Sequence, residues 1–140
     1  MDVKTKSIHF YVQRNASFST TNAVIPFDVA PVNEGNAFNL AAGIFTALVN
    51  WIYHFQLSAV KDESATYLEI RLQVNGATVG STYTFRPTTE CADDVVSLSA
   101  SLRLAAGDTV RLYNMVNSRL FDDSNHKTHF TGWLVEQDFV

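Results

Sequence analysis

Two groups of polar side chains in this 140-residue chain have the chemistry of a binding site. In the first, apolar and polar residues alternate along residues 67–74, which predicts a strand with one buried and one outward face. The outward faces of this strand and of a later one carry aromatic and charged side chains: Tyr67, Glu69, Arg71, Arg111 and Tyr113. Tyrosine rings stack on sugar rings, and arginine pairs with a carboxylate such as that of sialic acid. The alternative is a solvated sheet face whose residues pair across strands.

The second group lies in a polar loop, residues 118–127. Loops on a rigid scaffold often bind ligands, and this one offers charged, amide and imidazole groups: Arg119, Asp122, Asp123, Asn125 and His126. The alternative is a loop that is simply solvated. The neighbouring carboxylates of Asp93-Asp94 and Asp122-Asp123 are hard oxygen ligands, so calcium is the one metal that the sequence suggests, although such pairs are usually only solvated. His126 and His129 are three residues apart, which is not a metal-ligand spacing on a strand or loop.

Catalysis and nucleic-acid binding are not expected. The chain has no Gly-x-Ser-x-Gly motif, no phosphate-binding glycine loop and no zinc-spaced cluster of cysteine or histidine. Apolar residues are 46% and charged residues 17%, which suits one core in a single domain. A net charge of -4 without basic runs argues against nucleic acid. We therefore expect no enzymatic activity and no cofactor, calcium being the only alternative.

Three further features bear on where the chain works. The longest mostly apolar stretch, residues 41–53, is too short to cross a membrane, and the first residues lack the apolar region of a signal peptide. Cys91 is the only cysteine, so the choice is between a free thiol and an intermolecular bridge in an oxidising compartment. Asn15-Ala16-Ser17 is a glycosylation sequon, which matters if the chain is secreted by a eukaryotic cell.

The elements that position these groups are predicted to be strands. β-branched and aromatic residues dominate, and turn residues punctuate the chain at short intervals, which predicts an all-β sandwich. Asn75-Gly76 is the strongest hairpin signal. Val110, Leu112 and Val116 are expected to point inward on one strand. The main predicted strands are residues 8–12, 51–59, 67–74, 77–85, 95–104, 109–116 and 129–136.

The segment from Phe27 to Leu57 has a fixed spacing of aromatic residues. It reads Phe27, five residues, Asn33, four residues, Phe38, six residues, Phe45, five residues, Trp51, then Tyr53, Phe55 and Leu57. This spacing resembles the signature of the globular head domain of the complement component 1q family. Trp51 stands where that signature has glycine, and Leu57 where it has Phe or Tyr. Six other fragments match the family in the same order: residues 8–14, 25–27, 43–46, 72–76, 102–110 and 130–134.

The resemblance implies a ten-stranded, two-sheet jelly roll, shared with the tumour necrosis factor superfamily, that assembles as a compact homotrimer. Residues 7–140 would form this domain, with residues 1–6 a leader or added segment. In that fold the strands that carry Arg71 and Arg111 share one sheet, so the first polar group is expected to form a single surface. No Gly-x-y repeat is present, so the chain looks like a head domain alone.

The last predicted strand supports assembly, because it is apolar on both faces. Phe130 and Leu134 alternate with Trp133 and Val135. A strand buried on both faces lies beneath another layer, either a loop or a neighbouring subunit. Trp133 and Val135 are therefore candidate residues of the trimer interface.

The resemblance implies an extracellular recognition protein. The first hypothesis is a secreted trimeric lectin or pattern-recognition protein that binds glycans or glycoproteins, including sialylated or acidic sugars, on cell or microbial surfaces in innate defence. A second is a trimeric signalling ligand of the tumour necrosis factor type for a cell-surface receptor. A third is a structural or storage assembly.

Overall fold

The computed structural model of the chain describes residues 7–85 and 94–135. Within these ranges every regular element is a strand, as predicted. In chain order the strands are β1 (His9–Gln13), β2 (Ala23–Val24), β3 (Val29–Glu34), β4 (Phe38–Asn39), β5 (Ile44–Thr46), β6 (Trp51–Lys61), β7 (Tyr67–Val74), β8 (Ala77–Phe85), β9 (Val95–Leu104), β10 (Thr109–Asn114), β11 (Leu120–Phe121) and β12 (His129–Leu134).

The strands form two antiparallel sheets. Sheet A has the order β3–β1–β12–β6–β9, and β11 pairs with the last residues of β6. Sheet B has the order β4–β5–β10–β7–β8, and β2 pairs with β10. The predicted all-β, two-sheet jelly roll is confirmed. Twelve strand segments are described where the expectation was ten, and three of them (β2, β4 and β11) are only two residues long.

Alternation along the strands builds the core between the sheets. Leu68, Ile70 and Leu72 of β7 are buried, as are Tyr53 and Phe55 of β6. Burying one such side chain is worth about 1.5–3 kcal/mol. The centre is a cluster of aromatic rings from both sheets whose centroids lie 4.7–6.2 Å apart: Phe10, Phe38, Phe45, Phe55 and Phe130.

Gly132 makes room for this cluster. A Cβ atom at this position would lie 2.5 Å from the Phe10 ring and 2.7 Å from the Phe55 ring. Any larger residue would therefore push apart rings that the core holds on both sides. This explains why a glycine stands in the middle of β12, where strand propensity alone disfavours it.

The predicted Asn75-Gly76 hairpin joins β7 to β8. Both residues have positive φ, 50° and 84°, which is the conformation that a two-residue hairpin turn requires. The Asn75 side chain accepts a hydrogen bond from the Thr109 N–H (2.9 Å) and donates one to Asp108 (3.0 Å). This turn is thereby tied to the start of β10.

One residue that the sequence analysis assigned to the core lies at the surface. Val116 was expected in the core, but it is 51% exposed. Strand β10 ends at Asn114, and Asn117 adopts φ 64° in the turn that follows, so the alternation stops before residue 116. Asn114 is buried instead, and its amide donates to the carbonyl oxygens of Thr20 and Ser118 at 2.9 Å each.

Trp51 lies at the first residue of β6, at the end of the sandwich, and is half-buried. The guanidinium of Arg103 lies over its ring, 5.5 Å from the centroid. The indole that replaces the family glycine therefore packs at the rim of sheet A and not in the aromatic core.

Candidate functional site

The first polar group forms one surface, as expected. In the pairing of β10 with β7, Arg111 lies opposite Gln73, and Tyr113 lies opposite Arg71. Alternate residues of β7 on the same face continue to Glu69 and Tyr67, so the predicted residues are neighbours on the outward face of sheet B. We call these six residues the sheet B surface: Tyr67, Glu69, Arg71, Gln73, Arg111 and Tyr113.

The two arginines of this surface have different surroundings. Arg71 Nε donates to a Glu69 carboxylate oxygen at 2.8 Å, and the Tyr67 hydroxyl donates to the other oxygen. The charge of Arg71 is therefore already paired within the surface. The sequence predicted both arginines as ligand residues, but the paired charge of Arg71 attracts an anionic ligand less strongly.

Arg111 has no carboxylate partner within residues 7–85 and 94–135. Its Nε donates to the side-chain oxygen of Gln73 at 2.8 Å, and its guanidinium lies 5.5 Å from the centroid of the Tyr113 ring. Gln73 is buried, and its amide in turn donates to the Thr78 hydroxyl at 3.3 Å. Arg111 is thus oriented by neutral groups and keeps its charge available beside an aromatic ring.

An apolar edge that the sequence did not predict lies next to this surface. Strands β8 and β9 are the last strands of their sheets on the same side of the sandwich, and together they carry four exposed apolar or aromatic side chains. Tyr83 and Phe85 are 67% and 60% exposed. A register shift in β8 after Thr78 puts Tyr83 opposite Glu69 and Phe85 opposite Tyr67, on the outward face, and no pattern in the sequence marks this shift. We call the group on β8 the edge strip: Val79, Tyr83 and Phe85; Val95 of β9 faces outward from sheet A.

The second polar group does not form a comparable surface, because Asp122 is buried. Its carboxylate accepts hydrogen bonds from the N–H groups of Asp123 (2.8 Å), Lys127 (2.6 Å) and Thr128 (2.8 Å). Asp122 therefore fixes the loop from inside and leaves little surface for a ligand, contrary to its role as a candidate ligand residue. Such charge-assisted bonds to N–H groups are among the stronger ones in proteins.

The other residues of the loop lie nearer the surface. Arg119 and Asn125 are exposed. The ammonium of Lys127 donates to Asp123 at 2.9 Å, and this bond, with one from the Asn125 N–H, holds the pKa of the Asp123 carboxyl below its ordinary value. His126 makes a 2.9 Å hydrogen bond through Nδ1 to the Arg14 carbonyl oxygen.

Metal ligands do not cluster in the part of the chain that the structure describes, where no group of three His, Cys, Asp or Glu side chains is close enough to hold an ion. Asp93 and Cys91 lie outside the described residues. Calcium binding therefore stays a prediction. The sequon residues Asn15 and Ser17 are exposed, and glycosylation at Asn15 stays a prediction too.

The outward face of sheet A carries the candidate interface residues. Cross-strand pairing places Trp133 between His54 of β6 and His9 of β1, with ring centroids 4.8 and 6.2 Å away. Trp133 and Val135 are only half-buried by their own chain. On the same face lies an open hollow of about 600 Å³ whose lining includes polar residues such as His9, Gln56 and His129 but exposes mainly apolar atoms. We call the outward residues of β1, β6, β9 and β12 the sheet A surface.

Comparison with known proteins agrees with this architecture. A family model described as the C1q domain matches residues 9–135. The chain belongs to the C1q domain family. The resemblance predicted from the spacing of Phe27 to Leu57 is therefore confirmed. No helix among the described residues has the length and apolar character needed to span a membrane.

Two curated relatives of this C1q domain are the proteins named complement C1q tumor necrosis factor-related protein 3 of mouse and human. They are 35% and 34% identical over 128 residues, which is 91% of this chain and 51% of each relative. The chain thus spans about half the length of the curated relatives that it matches.

Two solved structures share the fold. The globular domain of zebrafish complement 1qA has a TM-score of 0.76 at 23% identity and covers 94% of this chain and 99% of that one. Eiger TNF from S. frugiperda has a TM-score of 0.78 at 12% identity and covers 97% of each chain. At these identities the likeness concerns the jelly roll alone.

Proposed function

We propose that this C1q domain is a non-catalytic, secreted recognition module that assembles as a homotrimer and binds acidic glycans through the sheet B surface. The strongest support is the geometry of Arg111. Its guanidinium is charged, held in place by Gln73, unpaired with any carboxylate in the described ranges and flanked by Tyr113. A carboxylated sugar matches this arrangement, because its acid group pairs with the guanidinium and its ring stacks on the tyrosine.

The sheet on which these groups lie suits such binding. Arg111 and Tyr113 stand on β10, a central strand of sheet B that pairs with both β5 and β7. Side chains on a central strand have fixed spacing, so little conformational entropy is lost when a sugar binds. Three copies presented together would multiply a weak affinity at each single site.

Trimer assembly is supported by two surfaces that an isolated subunit leaves open. The sheet A surface exposes part of Trp133 and an open hollow, and the edge strip exposes Tyr83 and Phe85. These surfaces differ from each other, and a cyclic trimer joins two different surfaces of each subunit in a head-to-tail ring. We propose that the edge strip of one subunit covers the sheet A surface of the next, as suits a family in which trimers are typical.

A glycan array with matched pairs tests the proposed ligand. The native protein is applied to glycans that differ only in a terminal sialic acid or another carboxylated sugar. We expect binding to the acidic member of each pair and weaker binding above about 0.3 M salt, where screening is strong. Equal binding to both members, or binding to none, would contradict the proposal.

The second candidate is a signalling ligand for a cell-surface receptor. The jelly roll is shared with Eiger TNF, and the curated relatives carry tumor necrosis factor in their names. Tight binding to a cell-surface protein that survives enzymatic removal of its glycans, together with a silent array, would favour this candidate.

A further inference from the structure

The sheet A surface gathers three of the four histidines of the chain, and all four lie within the described residues. His9, His54 and His129 point outward from β1, β6 and β12, whereas His126 lies in the loop before β12. His9 and His54 flank Trp133 in one cross-strand row. His129 stands in another row of the same surface, with its ring 5.8 Å from that of Tyr11.

The ring of His54 is held by two serine hydroxyls of β9. Its two ring nitrogens lie 2.9 Å from the Ser101 hydroxyl and 3.2 Å from the Ser99 hydroxyl. A hydroxyl both donates and accepts, so each serine can match either hydrogen-bonding role of an imidazole nitrogen. Protonation has a cost only where a second subunit removes the surrounding water.

Among the described residues of the sheet A surface, few charged groups could balance a protonated imidazole in such a contact. Glu34 on β3 lies opposite His9, at the edge of the sheet, and Asp122 acts on His129 from the loop before β12. Arg103 on β9 lies opposite Ile52, two residues before His54 on β6, and Tyr11 is the remaining titratable neighbour among the described residues. The other side chains between the histidines are uncharged: Gln56, Ser58, Ser97, Ser99, Ser101 and Thr131.

We propose that these three histidines make self-association sensitive to acid, so that the trimer dissociates into folded subunits as the pH falls below about 6. This inference rests on the proposed trimer. Each of three subunits brings His9, His54 and His129 into the contact, and imidazoles take up protons in this pH range. Several positive charges would then lie in a dehydrated interface whose sheet A side has few carboxylates among the described residues, whereas in the separated subunits they are hydrated.

The surroundings of His129 also favour dissociation of the trimer in acid. Burial lowers the pKa of His129 even in the single subunit, while the charge of Asp122 opposes this effect. Burial by a neighbouring subunit would add to the lowering. A group that binds its proton more weakly in the assembled state favours the separated state as the pH falls, so acid drives dissociation.

Sedimentation velocity tests the inference at pH 7.5 and pH 5.5, at one protein concentration and ionic strength. The native chain, the triple variant His9→Gln, His54→Gln, His129→Gln and the control His126→Gln are compared, with circular dichroism of each sample. We expect the native chain and the control to change from trimer to monomer with an unchanged β-sheet spectrum. The trimer dissociation constant should rise at least about tenfold per pH unit, as uptake of one or more protons requires. The triple variant should stay trimeric at both values.

Each other outcome is decisive. A native trimer that persists at pH 5.5, equal dissociation of the triple variant, or dissociation that follows loss of the β-sheet spectrum contradicts the switch alone. A native monomer at pH 7.5 contradicts the trimer of the proposed function as well. If the triple variant does not assemble at pH 7.5, the three single variants are measured, and the switch requires at least one to dissociate at a lower pH than the native chain.

Discussion

Arg111 and Gln73 lie opposite each other on β10 and β7, and the guanidinium Nε donates a 2.8 Å hydrogen bond to the Gln73 side-chain oxygen. Gln73 is buried, and its side-chain amide donates a hydrogen bond to the hydroxyl of Thr78 on β8. The partner of Arg111 is therefore neutral, whereas Arg71, on the neighbouring strand, has the carboxylate of Glu69. This difference in partner, and not the residue type, distinguishes the two arginines as ligands for an acid group.

Replacing the neutral partner with a charged one tests this difference. In Gln73→Glu a carboxylate would pair with Arg111 from the same position, so the guanidinium would no longer attract a carboxylated sugar. We expect affinity for a sialylated glycan to fall about tenfold, equivalent to ~1.4 kcal/mol. Calorimetric titration measures this, with Thr78→Ala as the control that keeps the charges. Unchanged affinity in Gln73→Glu would show that Arg111 does not hold the acid.

Gly132→Ala tests the packing of the aromatic core. The added Cβ would lie 2.5 Å from the Phe10 ring, so rings must shift, and overpacking of this kind costs about 1–3 kcal/mol. Gly80→Ala is the matched control on β8, because its Cβ would meet only the Leu98 side chain at 3.4 Å. Urea unfolding should show a clear loss of stability for the first variant and little change for the second. Equal midpoints would contradict the packing described for β12.

Phe85→Asp tests the edge strip as part of the trimer contact. A carboxylate in a dehydrated contact is costly, so sedimentation at pH 7.5 should give a mass below three times the 15.6 kDa of one chain. Val116→Asp is the control, because Val116 is 51% exposed but lies in the turn after β10, outside the strip. A trimer that tolerates Phe85→Asp would place the contact elsewhere.

The hydrogen bonds that join Asp108 to the Asn75 side chain and to the Ala105 N–H predict the pH range in which its carboxyl titrates. Hydrogen bonds from the Asn75 amide and the Ala105 N–H hold the pKa of the Asp108 carboxyl below its ordinary value. A lowered pKa stabilises the folded chain above the unfolded pKa, and this contribution is lost as the pH falls through the folded pKa. In Asn75→Gly, which tolerates the positive φ, NMR should show Asp108 titrating at higher pH. If Asp108 titrates at the same pH in both proteins, the hydrogen bond from Asn75 does not lower its pKa.

The sequence predicted the fold well wherever alternation and turn chemistry agree. The outward residues of β7 and the Asn75-Gly76 hairpin were placed correctly. Alternation with a period of two determines the face of each residue, and a two-residue turn determines which residues flank it. Val116 was misplaced because the end of β10 depends on the turn at Asn117, and no pattern in the strand itself marks that end.

The site was less predictable, because it depends on partners that come from the fold. Whether a carboxylate is free or buried follows from the N–H groups that surround it, and the partners of Asp122 include Lys127 and Thr128, five and six residues ahead. The neutral partner of Arg111, Gln73, is likewise visible only once the register of β7 and β10 is known, whereas Glu69, the partner of Arg71, lies two residues away on the same strand.

The most direct test of the account is calorimetric titration with a sialylated trisaccharide and with its counterpart that lacks sialic acid. The native protein is compared with Arg111→Ala and with the double variant Glu69→Gln, Arg71→Gln. The double variant removes an ion pair without altering the net charge. We expect the native protein and the double variant to bind the sialylated sugar within about threefold of each other, and Arg111→Ala to bind it at least about tenfold more weakly. Native-like binding by a folded, trimeric Arg111→Ala would contradict recognition of acidic glycans at the sheet B surface.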